Sequence, residues 1–158
     1  MKIRRARPDD IDVVLDVLAE AAAWLQTRGI EQWPDRFERD WVMPAIARGE
    51  TWLAERDGEV VGSLVVQWED RLLWAGYPTD AGYLHRLAVR RHGHGLGARL
   101  LRWAEWHAAA AGKTFLRLDC VASNNMLRAY YERAGYERVA DVTVGPYTEA
   151  RYEKRVRG

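Results

Sequence analysis

The chain has 158 residues, 48% hydrophobic and 30% charged, with a formal net charge of +1, one cysteine and eight tryptophans. A chain this long buries roughly 68 to 70% of its unfolded surface around a core, and apolar content with so little net charge excludes a disordered polymer. The lone Cys120 excludes a disulfide framework and a cysteine-based zinc site, and it points to a reducing, cytoplasmic setting.

Met1 to Arg7 is basic, but Pro8-Asp9-Asp10 stands where the apolar part of a secretion signal belongs. No uncharged apolar run approaches the ~20 residues of a bilayer span, so no membrane partner is expected. Lys2 to Arg7 reads as a short strand. Ile11, Val14, Leu15, Leu18, Ala22 and Leu25 then recur at helical spacing, and Gly29 closes that helix. Trp33-Pro34-Asp35 opens a second helix reaching Arg48-Gly49, with a break expected at Pro44. Thr51 to Glu55, Asp57-Gly58 and Val60 to Trp68 give strand, tight turn, strand.

Glu69 to Gly82 is a loop rich in turn formers that also carries Trp74 and Tyr77, and Tyr83 to Val89 is the next strand. Leu96, Leu100, Trp103 and His107 form one stripe of a helix ending at Gly112, and Phe115 to Cys120 is another strand. Ser123 or Asn124 caps a short helix carrying Leu127, Tyr130 and Tyr131. Tyr136 to Val142 and Ala150 to Val156 close the chain as two strands joined through Gly145-Pro146. No linker, repeat or low-complexity tract interrupts this order, so residues 1–158 are expected to form a single domain of α/β (α+β) class.

The chemistry concentrates where the Tyr83 strand runs through Arg90-Arg91-His92-Gly93-His94-Gly95-Leu96-Gly97-Ala98 into a helix. Alternate glycines let successive backbone N–H groups converge at a helix N-terminus, where free donors and the dipole favour an anion such as a pyrophosphate. Arg86, Arg90, Arg91, Arg99 and Arg102 supply five cations there and the interval holds no acid. Near-zero global charge argues against a nucleic-acid partner. A P-loop would need Gly-Lys-Ser/Thr, which Gly97-Ala98-Arg99 does not provide. A dinucleotide-binding protein is the closer contest, because Gly93-x-Gly95-x-x-Ala98 fits that fingerprint and Asp119 follows at the spacing of a ribose-binding acid. Three residues separate the strand from the first glycine, and too little chain follows for a parallel sheet of that type.

The stretch Leu87-Ala88-Val89 followed by His92-Gly93-His94-Gly95-Leu96-Gly97, with Asn124 to Tyr136 downstream, resembles the GNAT superfamily of acyl-CoA-dependent N-acyltransferases. The downstream segment is similar to the family pattern Asn-x-x-Ala-x-x-x-Tyr-x-x-x-Gly-Phe/Tyr, with Leu127 in place of the alanine. His92 stands where Gln or Arg is usual, beside Arg91. The resemblance implies a mixed, mostly antiparallel sheet of six to seven strands flanked by helices. It also implies acetyl-CoA as co-substrate, held by the backbone of Leu87, Ala88 and Val89 and by Arg91, His92, Gly93, His94, Gly95, Leu96, Gly97 and Ala98, with Asn124 and Tyr131 completing the site. Its cofactor arm would enter where the Tyr83 and Phe115 strands splay apart, with the Leu87 N–H at the oxyanion.

An alkylamine acceptor, with a pKa near ~10.4, arrives protonated and needs a base. His85 is the candidate, since an imidazole suits proton abstraction near neutrality and some family members carry a base histidine at this place; a structural histidine or a carboxylate acting through water are the alternatives. Tyr131 matches the family tyrosine that protonates the leaving thiolate, and core packing is its alternative. His92-x-His94 is weak support for a metal, and none is expected. The acceptor-binding segments of the family correspond here to stretches holding Trp24, Trp33, Trp68, Trp74 and Tyr77 with Glu31, Asp35, Glu69 and Asp70; Tyr83 and His85 line the adjoining strand. Aromatic faces with carboxylates suit a cationic amine, and core or homodimer packing accounts for Trp103 and Trp106. A protein or peptide N-acetyltransferase and a noncatalytic acyl-CoA-binding module are the other readings.

Overall fold

The computed structural model describes residues 1–30, 33–90 and 95–157. In chain order these form β1 (Lys2–Arg5), a 3-10 turn (Pro8–Asp10), α1 (Ile11–Thr27), α2 (Arg39–Ala47), β2 (Thr51–Arg56), β3 (Glu59–Gln67) and β4 (Ala81–Val89). There follow α3 (Leu96–Ala110), β5 (Phe115–Val121), α4 (Asn125–Arg133), β6 (Glu137–Val144) and β7 (Tyr147–Arg155). The strand order is β1-β2-β3-β4-β5-β7-β6. β4 and β5 run parallel, while the β1/β2, β2/β3, β5/β7 and β6/β7 pairs are antiparallel. This is the mixed, mostly antiparallel sheet expected. It is not the open parallel sheet that a dinucleotide fold requires.

The chain divides into two compact units that alternate along the sequence. Met1–Val66 and Arg86–Trp103 form one, and Gln67–His85 and Ala104–Gly158 form the other. In the first, α1 turns Ile11, Val14, Val17, Leu18 and Ala21 to one side, the three-four spacing of a buried helix stripe. They pack with Val42 and Ile46 of α2, Leu53 of β2 and Ala88 of β4. Asp57 (φ 54) and Gly58 (φ 79) make the predicted two-residue hairpin. Gly62 must be glycine for packing, because a Cβ there would lie 2.8 Å from Leu100 Cδ1 and 3.2 Å from the Ala88 carbonyl.

Two expectations fail in this unit. α2 starts at Arg39, not Trp33: Glu38 is extended, and Trp33 instead packs edge-on against Phe37 at 5.6 Å. Nor does Pro44 break α2. It removes one donor, for the Asp40 carbonyl; Pro44 and Asp40 are exposed, where water can serve that group, and Val42, Ala45 and Ile46 are buried on the opposite side.

In the second unit β4 pairs with β5 over Ala81↔Phe115, Gly82↔Leu116 and Tyr83↔Arg117, and the ladder ends there although both strands continue. Alternation gives these strands two faces. One carries Leu116, Leu118 and Cys120 with Ala150 and Tyr152, all buried. It packs beneath the end of α3 and beneath α4, whose Tyr131 ring lies 6.3 Å from that of Tyr152. Gly82 permits the approach, since a Cβ there would sit 3.2 Å from Ala108 Cβ. The other face carries Tyr83, Arg117, Asp119, Glu149 and Arg151.

Candidate active site

Arg86 has φ 51, the only positive φ outside glycine among the described residues besides Asp57. A non-glycine residue there is strained, and such residues gather at functional positions. The two-residue alternation predicted to align Tyr83, His85, Leu87 and Val89 is interrupted at that point. Leu87 is half-buried, and Ala88 and Val89 are buried.

Beyond β4, Gly95 (φ 69) precedes α3 and the Arg99 N–H donates to its carbonyl at 3.1 Å. The amides of Leu96, Gly97 and Ala98 are therefore first-turn donors with no helical acceptor. The first turn contains no acid, and a Cβ built at Gly95 or Gly97 would meet nothing within 4 Å. These amides can take an anion at the helix N-terminus. Arg91, His92, Gly93 and His94 lie outside the described residues. Of the five arginines, two are already engaged: Arg86 donates to the Trp41 carbonyl at 3.1 Å and Arg90 to Glu20 at 3.1 Å. Arg99 and Arg102 are exposed.

His85 ends the second unit's part of β4, on the face shared with Asp119. His85, Asp70 and Asp119 each place one donor or acceptor atom within 4.8 Å of the others. These three atoms are the set of described residues able to receive a cation, which the His92-x-His94 pattern did not foresee. His85 Nε2 is 3.3 Å from Asp70 Oδ2, and the side chains are 25% and 7% exposed respectively. Asp70 Oδ1 accepts from the Leu73 N–H at 3.0 Å, which ties the loop after β3 into a turn over this face. Burial opposes the Asp70 charge, but the nearby His85 and the Leu73 and Leu72 amides hold its carboxyl below the usual range.

Asp119 is hydrogen-bonded to Glu149, and burial pushes both upward, Glu149 to about 7. Two acids in contact share a proton because neither can ionise fully beside the other. The arrangement can receive an ammonium ion and hold its proton. Sequence reasoning placed Asp70 in the acceptor loop and considered Asp119 only for another ligand. It passed over Glu149, whose signal lies in the β5/β7 register and not in any motif.

Tyr131 is on the opposite face of these strands from His85. It is 7% exposed, its ring lies among those of Tyr130, Tyr136 and Tyr152, and burial raises its hydroxyl well above the ordinary range. Asn124 is 8% exposed and its Oδ1 accepts from the Leu127 N–H at 3.1 Å, capping α4 as expected. Cys120 is buried, and its thiol is pushed up to about 12, which makes it inert as a nucleophile.

The tryptophans expected at the acceptor divide. Trp74 is buried, with Arg117 5.0 Å and Arg151 5.5 Å from its ring centroid, so its cation-binding faces are occupied from within the chain. Tyr83 is also buried, its hydroxyl accepting from Arg117 at 3.0 Å. These two are corrected to structural roles. Trp33 packs against the first unit's core, and Trp24 carries Arg28 at 4.8 Å. Trp68 is exposed and stacks on His107 at 5.3 Å.

Known proteins identify the family of the chain. Residues 18–136 match the acetyltransferase (GNAT) family. The chain is 36% identical over 140 residues to the uncharacterized N-acetyltransferase YesJ of Bacillus subtilis (strain 168), covering 82% of this chain and 77% of that one. A GNAT family acetyltransferase from Listeria monocytogenes 4b F2365 superposes with a TM-score of 0.83 at 30% identity, covering 98% and 94% of the two chains. Salmonella typhimurium yncA, solved with its cofactor acetyl-CoA, shares the fold at a TM-score of 0.72 and 17% identity, covering 100% and 95%. No helix among the described residues is long and apolar enough to cross a membrane. With its mixed sheet, its glycine turn at the start of α3 and its α4 cap, the chain belongs to the GNAT family of N-acetyltransferases.

Proposed function

We propose that this enzyme moves the acetyl group of acetyl-CoA to the primary amine of a small cationic acceptor by direct attack. The observation that carries this reading is His85 set against Asp70 and Asp119, two residues before Leu87 on the same strand. An acceptor arriving as an ammonium is drawn to the Asp70 carboxylate and to the negative charge that Asp119 and Glu149 hold between them, so that the acidic part of the expected aromatic-and-carboxylate site carries the attraction. His85 takes one ammonium proton, and the freed nitrogen lone pair attacks the thioester carbonyl carbon. The tetrahedral oxyanion needs an N–H donor, for which the resemblance offers Leu87. Collapse reforms the carbonyl and expels the thiolate of CoA. The resemblance offers Tyr131, which burial keeps protonated, as the donor to that sulfur from the α4 side of the strands. The amides of Leu96, Gly97 and Ala98, which have no acceptor within the helix, suit the pyrophosphate of the co-substrate, as expected at a helix N-terminus.

A thiol-release assay with acetyl-CoA and a panel of alkyl and arylalkyl amines tests the reading. Turnover on at least one amine, lost about 10²- to 10⁴-fold in His85→Ala, is expected for a general base. No turnover with any amine, despite acetyl-CoA binding measured by calorimetry, would favour a noncatalytic module. Turnover on peptide N-termini alone would shift the acceptor class. Unchanged rates in both His85→Ala and Tyr131→Phe would remove the assigned roles.

A further inference from the structure

The geometry points to Asp70 as the positioning residue that sets the tautomer of His85, so that Nε2 carries the ring proton and Nδ1 keeps the lone pair that receives the acceptor's proton. This inference rests on the proposed role of His85 as base and adds a residue to it. Three observations carry it. First, Asp70 is fixed before any substrate arrives: its Oδ1 accepts from the Leu73 N–H at 3.0 Å, and its backbone carbonyl accepts from the Trp74 N–H at 3.1 Å. Second, its other oxygen is buried and has no hydrogen-bond partner among the described residues, while His85 Nε2 stands 3.3 Å away. That separation is long for a neutral contact and shortens readily once the ring becomes a cation. Third, the Asp70 side chain is only 7% exposed, so solvent does little to compensate the lone oxygen. A buried carboxylate oxygen this close to a ring nitrogen is best satisfied by an N–H on that nitrogen, which the neutral ring supplies as its Nε2 tautomer and which the imidazolium formed by proton transfer retains. The other charged groups on this face are Asp119, with Glu149 bonded to it, and Arg117 and Arg151 one step along the strands. Arg117 is paired with Glu153 at 3.0 Å and Arg151 with the Leu73 carbonyl at 2.9 Å, so neither competes for Asp70.

The same geometry dictates the test. In Asp70→Asn the Leu73 N–H still requires an acceptor, which pins the amide oxygen at the Oδ1 position and puts the NH2 group opposite Nε2. That NH2 is a donor, so the ring must accept through Nε2 and carry its proton on Nδ1. Imidazole 15N shifts, with His85 identified among the four histidines by its loss in His85→Gln, read the tautomer directly. The expected result is an Nε2 proton in the wild type, an Nδ1 proton in Asp70→Asn, and a fall in kcat of at least about 100-fold with KM for acetyl-CoA unchanged, the pattern of a misoriented base. An Nδ1 proton in the wild-type protein, which needs no variant to detect, overturns the inference. So does an unchanged tautomer in Asp70→Asn, or a kcat equal to that of the wild type. Full activity in His85→Ala overturns the base itself, and thus separates failure of the underlying reading from failure of the role given to Asp70.

Discussion

Asp119 of β5 and Glu149 of β7 are hydrogen-bonded to each other although both are acids. The register sets Asp119 opposite Arg151 and Glu149 opposite Val121, so the two carboxyls meet on the diagonal of an antiparallel ladder. Burial first, then the charge of Asp119, pushes Glu149 from 4.5 to about 7. Between those values the folded chain holds a proton that the unfolded chain has released, so stability falls as pH rises through the window. Glu149→Gln removes that dependence. At about pH 5 the variant and wild type should differ little in urea midpoint, and at about pH 8 the variant should be the more stable; a wild-type advantage at the higher pH would contradict the shared proton.

Asp10 has the opposite sign. Its hydrogen bond from Arg4, at 2.8 Å, leads the causes that lower its carboxyl from 3.8 to about 2. This contribution is complete above the unfolded value and disappears as pH falls through the folded one. Asp10→Asn is expected to be less stable than wild type at neutral pH, with the gap closing in acid. Thermal unfolding of both proteins across that range checks it.

Arg117 is the keystone of the aromatic cluster that sequence reading gave to the acceptor. Its side chain is 4% exposed and donates to Glu153 at 3.0 Å, the Tyr83 hydroxyl at 3.0 Å and the Pro78 carbonyl at 2.5 Å. Arg117→Ala leaves Glu153 without its partner and the Tyr83 and Pro78 oxygens without their donor, and should cost about 3 to 5 kcal/mol in denaturant unfolding. Arg117→Lys should recover little, because an ammonium cannot span the three acceptors.

Gly97 separates binding from folding. A Cβ there meets nothing within 4 Å, and its backbone is not in the left-handed region. Gly97→Ala is therefore expected to unfold like the wild type while binding acetyl-CoA roughly tenfold more weakly, about 1.4 kcal/mol, as its methyl intrudes on the anion at the amides. Equal affinity by calorimetry would place the co-substrate elsewhere.

Local chemistry made much of this legible. Asp57-Gly58 dictates a hairpin and Asn124 a helix cap, since each acts on its own neighbours in the chain. The failures also have local causes. Trp33-Pro34-Asp35 looks like a helix start, but an aromatic contact with Phe37 holds that segment instead. Trp74 looks like a ligand face, and only the folded chain shows two arginines already on it.

The sequence by itself determined the order of elements, the GNAT resemblance, the glycine turn before α3 and the candidacy of His85, because periodicity and motif spacing act over a few neighbouring residues. Tertiary structure alone decided the company His85 keeps. Asp70 comes from a loop, Asp119 from β5 and Glu149 from β7, and strand register, a relation between distant segments, brings them to one face. Tyr131, carried by α4, packs against the other face. Residue spacing along a chain records which side a residue takes within its own element, but not which element lies beside it.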